Sequence, residues 1–442
     1  MKHLYLQVNA GSPLTIRSDH AQEGASTTQY IPGATLLGSL AAAHRMLRPE
    51  MDNEFTRLFL NEQVYIPYLY PAVFNESEAG IDKSNLPVMP LPKTAQSCKR
   101  FSGFKPLPGE LTHEKRHGIR DSLLDWAIFS LLNDERQAIP ALLAPLKTHT
   151  TCKHDNCQQA MDHVAGYYRC ARPDPRHDAT QRMKAKIHTH LQTRTGINRS
   201  WGVVEESILY NREVFDEDMR FWGEVIFPNE PDEPYTPNEP YTSSNPNSLV
   251  SIFAAFVEEA EKEDVIRVGT GRTRGLGRVS IKVFDGKRQE LASFRKKLVN
   301  FDATLQKQAQ EADVQALDSF YFAITLNSPT ILCDTFLRYR TTLDAATLVR
   351  LLERPDDRFT RIYQATTTQR ITGWNELWGT PRTNDHALEM GSTFLFACSH
   401  MLDDELLQAL YTLEETGLGQ RRTEGFGRIC ISDPFHLEGE QV

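Results

Sequence analysis

Two stretches of the 442-residue chain combine glycine and arginine in a way that suits an anion. "GTGRTRGLGR" holds Gly269, Gly271, Arg272, Arg274, Gly275, Gly277 and Arg278. "GLGQRRTEGFGR" holds Gly417, Gly419, Arg421, Arg422, Gly425, Gly427 and Arg428. Glycine tolerates positive φ and bares its backbone N–H. Successive N–H groups in such turns form a nest for phosphate, and guanidinium groups beside it add paired donors. Neither stretch ends in Gly-Lys-Ser/Thr, and each follows a helical pattern instead of opening one, which excludes the common nucleotide fingerprints. A tight turn with solvated arginines is the plainer reading of one such loop; two in matching contexts favour phosphate. Three residues separate the Gly-x-Gly pairs of the first loop and five those of the second, so the two geometries need not match.

A second constellation is cysteine-rich. Cys152, Cys157 and Cys170 fall within nineteen residues, and Cys98 completes a set of four. Four thiolate or imidazole ligands suit a closed, structural zinc site, and a proline-rich segment with little core of its own would gain order from such a clip. His154 and His163 are competing ligands. Cys333, Cys398 and Cys430 sit in strand-like runs and read as core.

A third segment, 182–199, carries Arg182, Lys184, Lys186, Arg194 and Arg199 with no acid between them. With Thr195, Gly196 and Asn198 it reads as a track for a phosphate backbone. Tyr167, Tyr168 and Trp201 offer stacking faces or, equally, core packing.

These residues need elements to hold them. "HLYLQV" alternates as a strand, "YIPGATLLGSLAAAHRML" turns into a helix after Pro32-Gly33, and "SLVSIFAAFVEEAEKE" is a second helix leading to the first glycine loop and the strand "RVSIKVF". "FYFAITL", "GSTFLFAC", "DDELLQALYTLEETG", the second loop and "RICI" repeat that order. Two diverged copies of one α+β unit follow. The expected domains are 1–285, with an insert at about 90–175 and an acidic proline-rich loop at 228–247; a helical connector, 286–317; and 318–442.

Formal net charge is −9, so a polyanion would meet local patches and not the whole surface. No run approaches ~20 apolar residues, so no membrane span is expected. Seven cysteines without a signal sequence point to a reducing, cytoplasmic setting.

The order helix, glycine loop ending G-x-G-R, last strand resembles the RAMP superfamily of CRISPR-associated RNA-binding proteins. "YIPGATLLGSLA" resembles the superfamily's early turn and helix, and "TRTGINRSWGVVEESILYNRE" its guide-contacting segment. The whole is most similar to the two-domain RAMP subunit of type III-D effector complexes. The resemblance implies two ferredoxin-like (RRM-like) domains, the first with large insertions. It implies a non-catalytic structural subunit that holds the 5′ handle of the CRISPR RNA, with Arg194, Asn198, Arg199 and both glycine loops as contacts. Its partners would be the guide RNA, the large signalling subunit and backbone RAMP subunits, with target RNA met indirectly. The alternative within the superfamily is a metal-independent guide-processing endoribonuclease, for which His44, His188 and His190 are the candidate bases. A target-cleaving subunit would use a loop aspartate, and Asp19 is the residue to test. A nucleotide-binding enzyme is a third reading, disfavoured by the missing Lys-Ser/Thr.

Overall fold

The computed structural model describes residues 1–16, 26–73, 87–106, 115–134, 151–154, 157–170, 182–197, 204–232, 248–286, 288–312, 314, 319–355, 358–375 and 379–437. Two compact units result. The first is Met1–Val88, Ala185–Arg288 and Thr423–Gly425; the second is Met89–Lys184, Gln289–Arg422 and Phe426–Val442.

In the first unit the alternation of "HLYLQV" places Leu4, Leu6 and Val8 on one face of the Lys2–Ala10 strand, which pairs antiparallel with Arg220–Phe227 and Val279–Asp285. Tyr70–Pro71 extends the sheet beyond Arg220–Phe227. The helices Gly33–Leu47 and Leu249–Lys262 bury Leu36, Leu40, Phe253, Phe256 and Val257 in that same core. Ser248 starts the second helix by accepting the Ser251 N–H at 3.2 Å.

The second unit has a sheet of the same order. Phe320–Leu326 lies between Thr393–Cys398 and Ile429–Ile431, and Phe359–Ala365 is at the far edge. The helices Ala345–Leu352 and Asp404–Thr416 fill the places of the first unit's two helices in chain order. Every residue of Phe320–Leu326 is buried because both faces of the sheet are covered. Phe320, Phe322 and Ile324 join one core; Tyr321 and Ala323 pack with Leu123, Leu124, Ala127, Phe301 and Leu305 on the other.

That second layer corrects two expectations. The stretch expected as a connector forms the Leu291–Glu311 helix, whose Phe294, Leu298, Phe301 and Leu305 are core residues. The insert expected with the first half groups with the second, because its Leu123–Asp134 helix covers the sheet and its Tyr168 packs on Phe435.

The two glycine loops are equivalent, in a register that the glycines alone conceal. Gly277 N–H donates to Pro13 O at 3.1 Å, and Gly427 N–H to Pro329 O at 2.9 Å. Arg278 N–H donates to Ser12 Oγ and Arg428 N–H to Ser328 Oγ, both at 2.9 Å. Thr270 N–H meets Thr15 O at 2.9 Å, and Gln420 N–H meets Ile331 O at 3.0 Å. Gly269 therefore matches Gly419, and Gly277 matches Gly427. The loops are the same length, and the expected difference in spacing disappears. Arg421 takes the positive φ (57°) that Gly271 takes (81°) in the first loop. Each loop then makes one 3-10 turn, Arg272–Arg274 and Arg422–Glu424. The Ser-Pro pair after each first strand, Ser12-Pro13 and Ser328-Pro329, is the part of the repeat that glycine spacing does not reveal.

In the second unit a buried ion pair joins His436 Nδ1 to Asp121, and His436 Nε2 meets Thr325 Oγ1 at 2.7 Å. Burial pushes the imidazolium toward neutrality, but the Asp121 and then Asp433 carboxylates outweigh it and raise its pKa.

Two predictions follow from this packing. A Cβ at Gly427 would meet Leu418 O at 1.7 Å, whereas one at Gly275 would meet nothing within 4 Å, with φ positive at both. Gly427→Ala should cost about 2–4 kcal/mol and Gly275→Ala about 1–2 kcal/mol, in that order, measured by denaturant midpoints. Because His436 has a raised folded pKa, its contribution is complete below about pH 6.5 and lost as pH rises through the raised value. Urea midpoints of the natural chain should fall with rising pH over that window, and His436→Gln should remove that component.

Candidate nucleic-acid interface and metal centre

The first glycine loop puts Arg272, Thr273 and Arg274 on the surface, on a 3-10 turn held at both ends by left-handed glycines, Gly271 and Gly275. Arg272 Nε donates to Gly269 O at 3.1 Å, which sets the side chain beside the turn. Arg274 Nη1 donates to Tyr210 Oη at 3.1 Å. Tyr210 lies on the Val204–Phe215 strand, directly across from Arg194 on Thr189–Ile197, and cross-strand partners share a face. Arg212, two residues on, brings Nη1 to within 3.0 Å of the space a Cβ on Gly271 would fill. Arg194, Tyr210, Arg212, Arg272 and Arg274 thus gather from two sequence regions into one basic patch around a phenol. Tyr210 is 37% exposed.

Other expected contacts are occupied within the protein. Arg267 and Arg278 both pair with Asp264, at 3.2 and 3.1 Å. Slight desolvation pushes Asp264 up, but hydrogen bonds from Arg278 and Arg267 outweigh it and hold the carboxyl below its usual range. In the second loop Arg421 Nη1 meets Asp385 Oδ2 at 2.6 Å. Arg428 Nη1 donates to Glu415 O at 2.8 Å and Arg422 Nη1 to Thr416 O at 3.4 Å, at the C-terminal end of the Asp404–Thr416 helix. Cations there complement the free carbonyls and the helix dipole. The residue matching Arg274 is Glu424. Of the loop glycines expected to offer N–H groups to an anion, Gly275, Gly277, Gly417 and Gly427 donate instead to the Arg272, Pro13, Leu413 and Pro329 carbonyls. At Gly269, Gly277, Gly417, Gly419, Gly425 and Gly427 backbone presses on backbone where a Cβ would stand.

The basic run 182–199 does not act as one face. Arg182 is buried, its guanidinium over the Phe435 and Tyr168 rings at 5.1 and 5.9 Å. Tyr167 and Tyr168 are core residues. Asn198, Arg199 and Trp201 lie outside the described residues, as does Asp19. His44 is buried among Phe55, Phe59 and Phe256, with Nε2 2.9 Å from Glu54 Oε1. His188 and His190 are exposed, and His190 Nδ1 meets Asp216 Oδ1 at 2.5 Å. Tyr210 and Arg212 lie in the stretch that resembles the superfamily's guide-contacting segment but were not singled out within it, because only strand pairing places them beside the loop.

The metal centre forms with one change of ligand. Cys98, His117, Cys152 and Cys157 bring their donor atoms within 4.8 Å of one another. Cys98 Sγ and Cys157 Sγ are 3.9 Å apart, and His117 Nδ1 is 3.3 Å from Cys152 Sγ. Zn–S bonds of about 2.3 Å and Zn–N bonds of about 2.0–2.1 Å in a tetrahedron need ligand separations of about 3.5–3.8 Å, so the set fits zinc. Cys98 ends the Ala95–Cys98 strand, and burial pushes its thiol up. Backbone N–H groups of Phe101 and Arg100, with Cys152 and Cys157, outweigh that and hold it below its ordinary value, which favours thiolate. Across from it, Cys152 N–H bonds Gln159 O at 2.7 Å, and Gln158 takes φ 49°, turning the chain so that Cys157 comes back beside Cys152.

Cys170 gives way to His117 as the fourth member; the Cys170 side chain lies outside the described residues. Spacing could not reveal His117. It arrives because its N–H bonds Phe101 O and the Gly118 N–H bonds Gly103 O, both at 3.0 Å. His154 stacks on the His117 ring at 4.1 Å, and His163 Nδ1 lies 3.3 Å from Ala95 O, so neither competitor joins the set. Four protein ligands leave no open position, which suits a structural ion.

Metal analysis of the purified protein should find one zinc ion per chain. His117→Ala and Cys98→Ser should lose it and lower the melting temperature, while Cys170→Ser keeps it. Acidification should release the metal as the ligands protonate.

Residues 8–280 match a family model described as the RAMP superfamily. Among solved structures, a chain of the type III-B Cmr-beta complex bound to cognate target RNA is 10% identical, with 88% of this chain and 86% of that one covered and a TM-score of 0.34. A chain of the apo Cmr-beta complex is 13% identical, covering 64% and 97%, with a TM-score of 0.27. A search of curated proteins found no match.

Proposed function

The chain belongs to the RAMP superfamily, and from that premise we propose that it is a non-catalytic, CRISPR RNA-binding structural subunit of a type III effector complex. The observation that carries this reading is the patch of Arg194, Tyr210, Arg212, Arg272 and Arg274 in the first unit. Guanidinium groups on a rigid turn beside an exposed ring suit a single strand, whose phosphates meet the charges while a base meets the ring. The finer assignments are a type III-D complex, the 5′ handle as the bound segment, and the large signalling and backbone subunits as neighbours; they rest on the sequence resemblance. Each unit's order of strand, helix, strand, strand, helix, strand, with the first strand between the third and the last, supports two ferredoxin-like domains.

A structural role in place of a nuclease is part of the proposal. It is supported by the complete burial of His44 in an aromatic cluster, which shields its ring from solvent. A labelled CRISPR repeat RNA incubated without metal should stay intact; cleavage abolished by His190→Ala would instead establish the processing role.

The RNA contact is tested by salt. Each phosphate neutralised on a single strand adds about 0.7 to the slope of log affinity against log salt. Arg272→Ala/Arg274→Ala should weaken binding of guide RNA and reduce that slope by about 1.4. Arg422→Ala should leave the slope unchanged and act on stability instead. An unaltered slope in the double variant would remove the first loop from the interface.

A further inference from the structure

The strands Leu332–Cys333 and Tyr339–Arg340 pair as a short hairpin in the second unit. Its turn holds Phe336 and Leu337 at 78% and 73% exposure, the two most exposed large apolar side chains among the described residues. The turn is tightly built. The Asp334 carboxylate accepts the Phe336 N–H (2.8 Å), the Arg338 N–H (3.0 Å) and Arg338 Nε (2.8 Å). Backbone bonds between Asp334 and both Leu337 and Arg338 close it at 3.0 Å each. Leu337 is held at φ 60°, a left-handed conformation unfavourable for leucine. Asp385 anchors the hairpin from below, accepting Tyr339 Oη at 2.7 Å and Arg421 of the second glycine loop at 2.6 Å. Folding therefore orders two apolar side chains in water at a cost in backbone strain, a combination that points to a partner.

Charge decides which partner. The acids face inward: the Asp334 side chain is buried against the turn, and Asp385 is paired. Asp334 pairs with Arg338 at 2.8 Å and with Arg340 at 3.9 Å, yet one carboxylate meets two cations whose side chains stay 72% and 44% exposed, so a net positive charge faces outward. The Arg338 guanidinium lies over the Phe336 ring, 5.4 Å from its centre. Aromatic and cationic side chains thus alternate along "FLRYR" on a face whose acids are withdrawn. A single RNA strand presents the complementary alternation of flat bases and phosphates.

We propose that the 334–340 turn is a second RNA contact, which stacks a base of a single strand on Phe336 and Leu337 while Arg338 and Arg340 face the flanking phosphates. It shares with the preceding reading only the class of ligand; its residues belong to the other unit and none is in a glycine loop.

The test uses the full-length protein and a short fluorescent oligouridylate carrying one 2-aminopurine. Phe336→Ala/Leu337→Ala should lower affinity about 5- to 100-fold, the worth of one stacked base. It should reduce 2-aminopurine quenching, leaving only what stacking on Tyr210 contributes, and leave the salt slope unchanged, since stacking releases no counterions. Arg340→Ala should reduce the slope by about 0.7. Both side chains are exposed, so the apolar variant should keep the melting temperature of the natural chain. If it binds RNA as the natural chain does while Arg272→Ala/Arg274→Ala binds weakly, the turn is no RNA contact, and the first-loop reading stands. Loss of co-assembly with a neighbouring subunit at unchanged RNA affinity would assign the turn to a protein partner and overturn the proposal.

Discussion

The architecture depends on one repeated close approach: the glycine loop of each unit lies against the Ser-Pro extension of that unit's first strand. A Cβ at Gly269 would meet Thr15 O at 2.4 Å, and one at Gly419 would meet Ile331 O at 2.2 Å. Only glycine allows backbone to rest on backbone at that distance with φ positive. Three hydrogen bonds in each copy then fix the loop, and the loop in turn fixes where its 3-10 turn stands. Without this lock, the arginines that follow would have no defined direction.

From that shared backbone the two copies diverge in chemistry. The first exposes Arg272 and Arg274 and links to the Tyr210 strand. The second carries Glu424 in the matching place, and its arginines neutralise Asp385 and bond the carbonyls at the end of a helix. A duplicated scaffold has kept its hydrogen bonds and lost the surface charge of one copy. Glycine-arginine content therefore measures the turn and not the ligand; what distinguishes the loops is that Arg272 and Arg274 stand on the surface, whereas Arg421, Arg422 and Arg428 are half-buried against a carboxylate and helix carbonyls.

The cysteine segment shows a similar division of labour. Its described part has a modest core of its own, built on Leu91, Ala95, Phe104, Ile119, Val164 and Tyr168. The Cys98, His117, Cys152 and Cys157 set joins three stretches of this segment that few apolar contacts could hold. An ion there would cross-link the segment in the way a hydrophobic core does elsewhere, by removing freedom from the unfolded chain. The Leu123–Asp134 helix that follows His117 covers the second face of the sheet in its own unit.

Much of this could be read from residues alone. Alternation in "HLYLQV" and the apolar run "FYFAITL" announced the first strands, the helices preceded both loops as expected, and all eight loop glycines have positive φ. Three of the four members of the candidate metal set followed from cysteine count, and three arginines of the basic patch, Arg194, Arg272 and Arg274, from charge. What could not be read depends on contacts distant in sequence. Loop register lay in carbonyls some 90 to 265 residues away in sequence, so counting Gly-x-Gly pairs misplaced it by two residues. His117 joined the candidate metal set through loop backbone bonds to Phe101 and Gly103 and not through spacing. Local sequence determines backbone conformation, because φ, ψ and periodicity are properties of neighbouring residues. Only the tertiary structure decides which donor atoms converge and which charges remain for a ligand, because both depend on what the rest of the chain brings alongside.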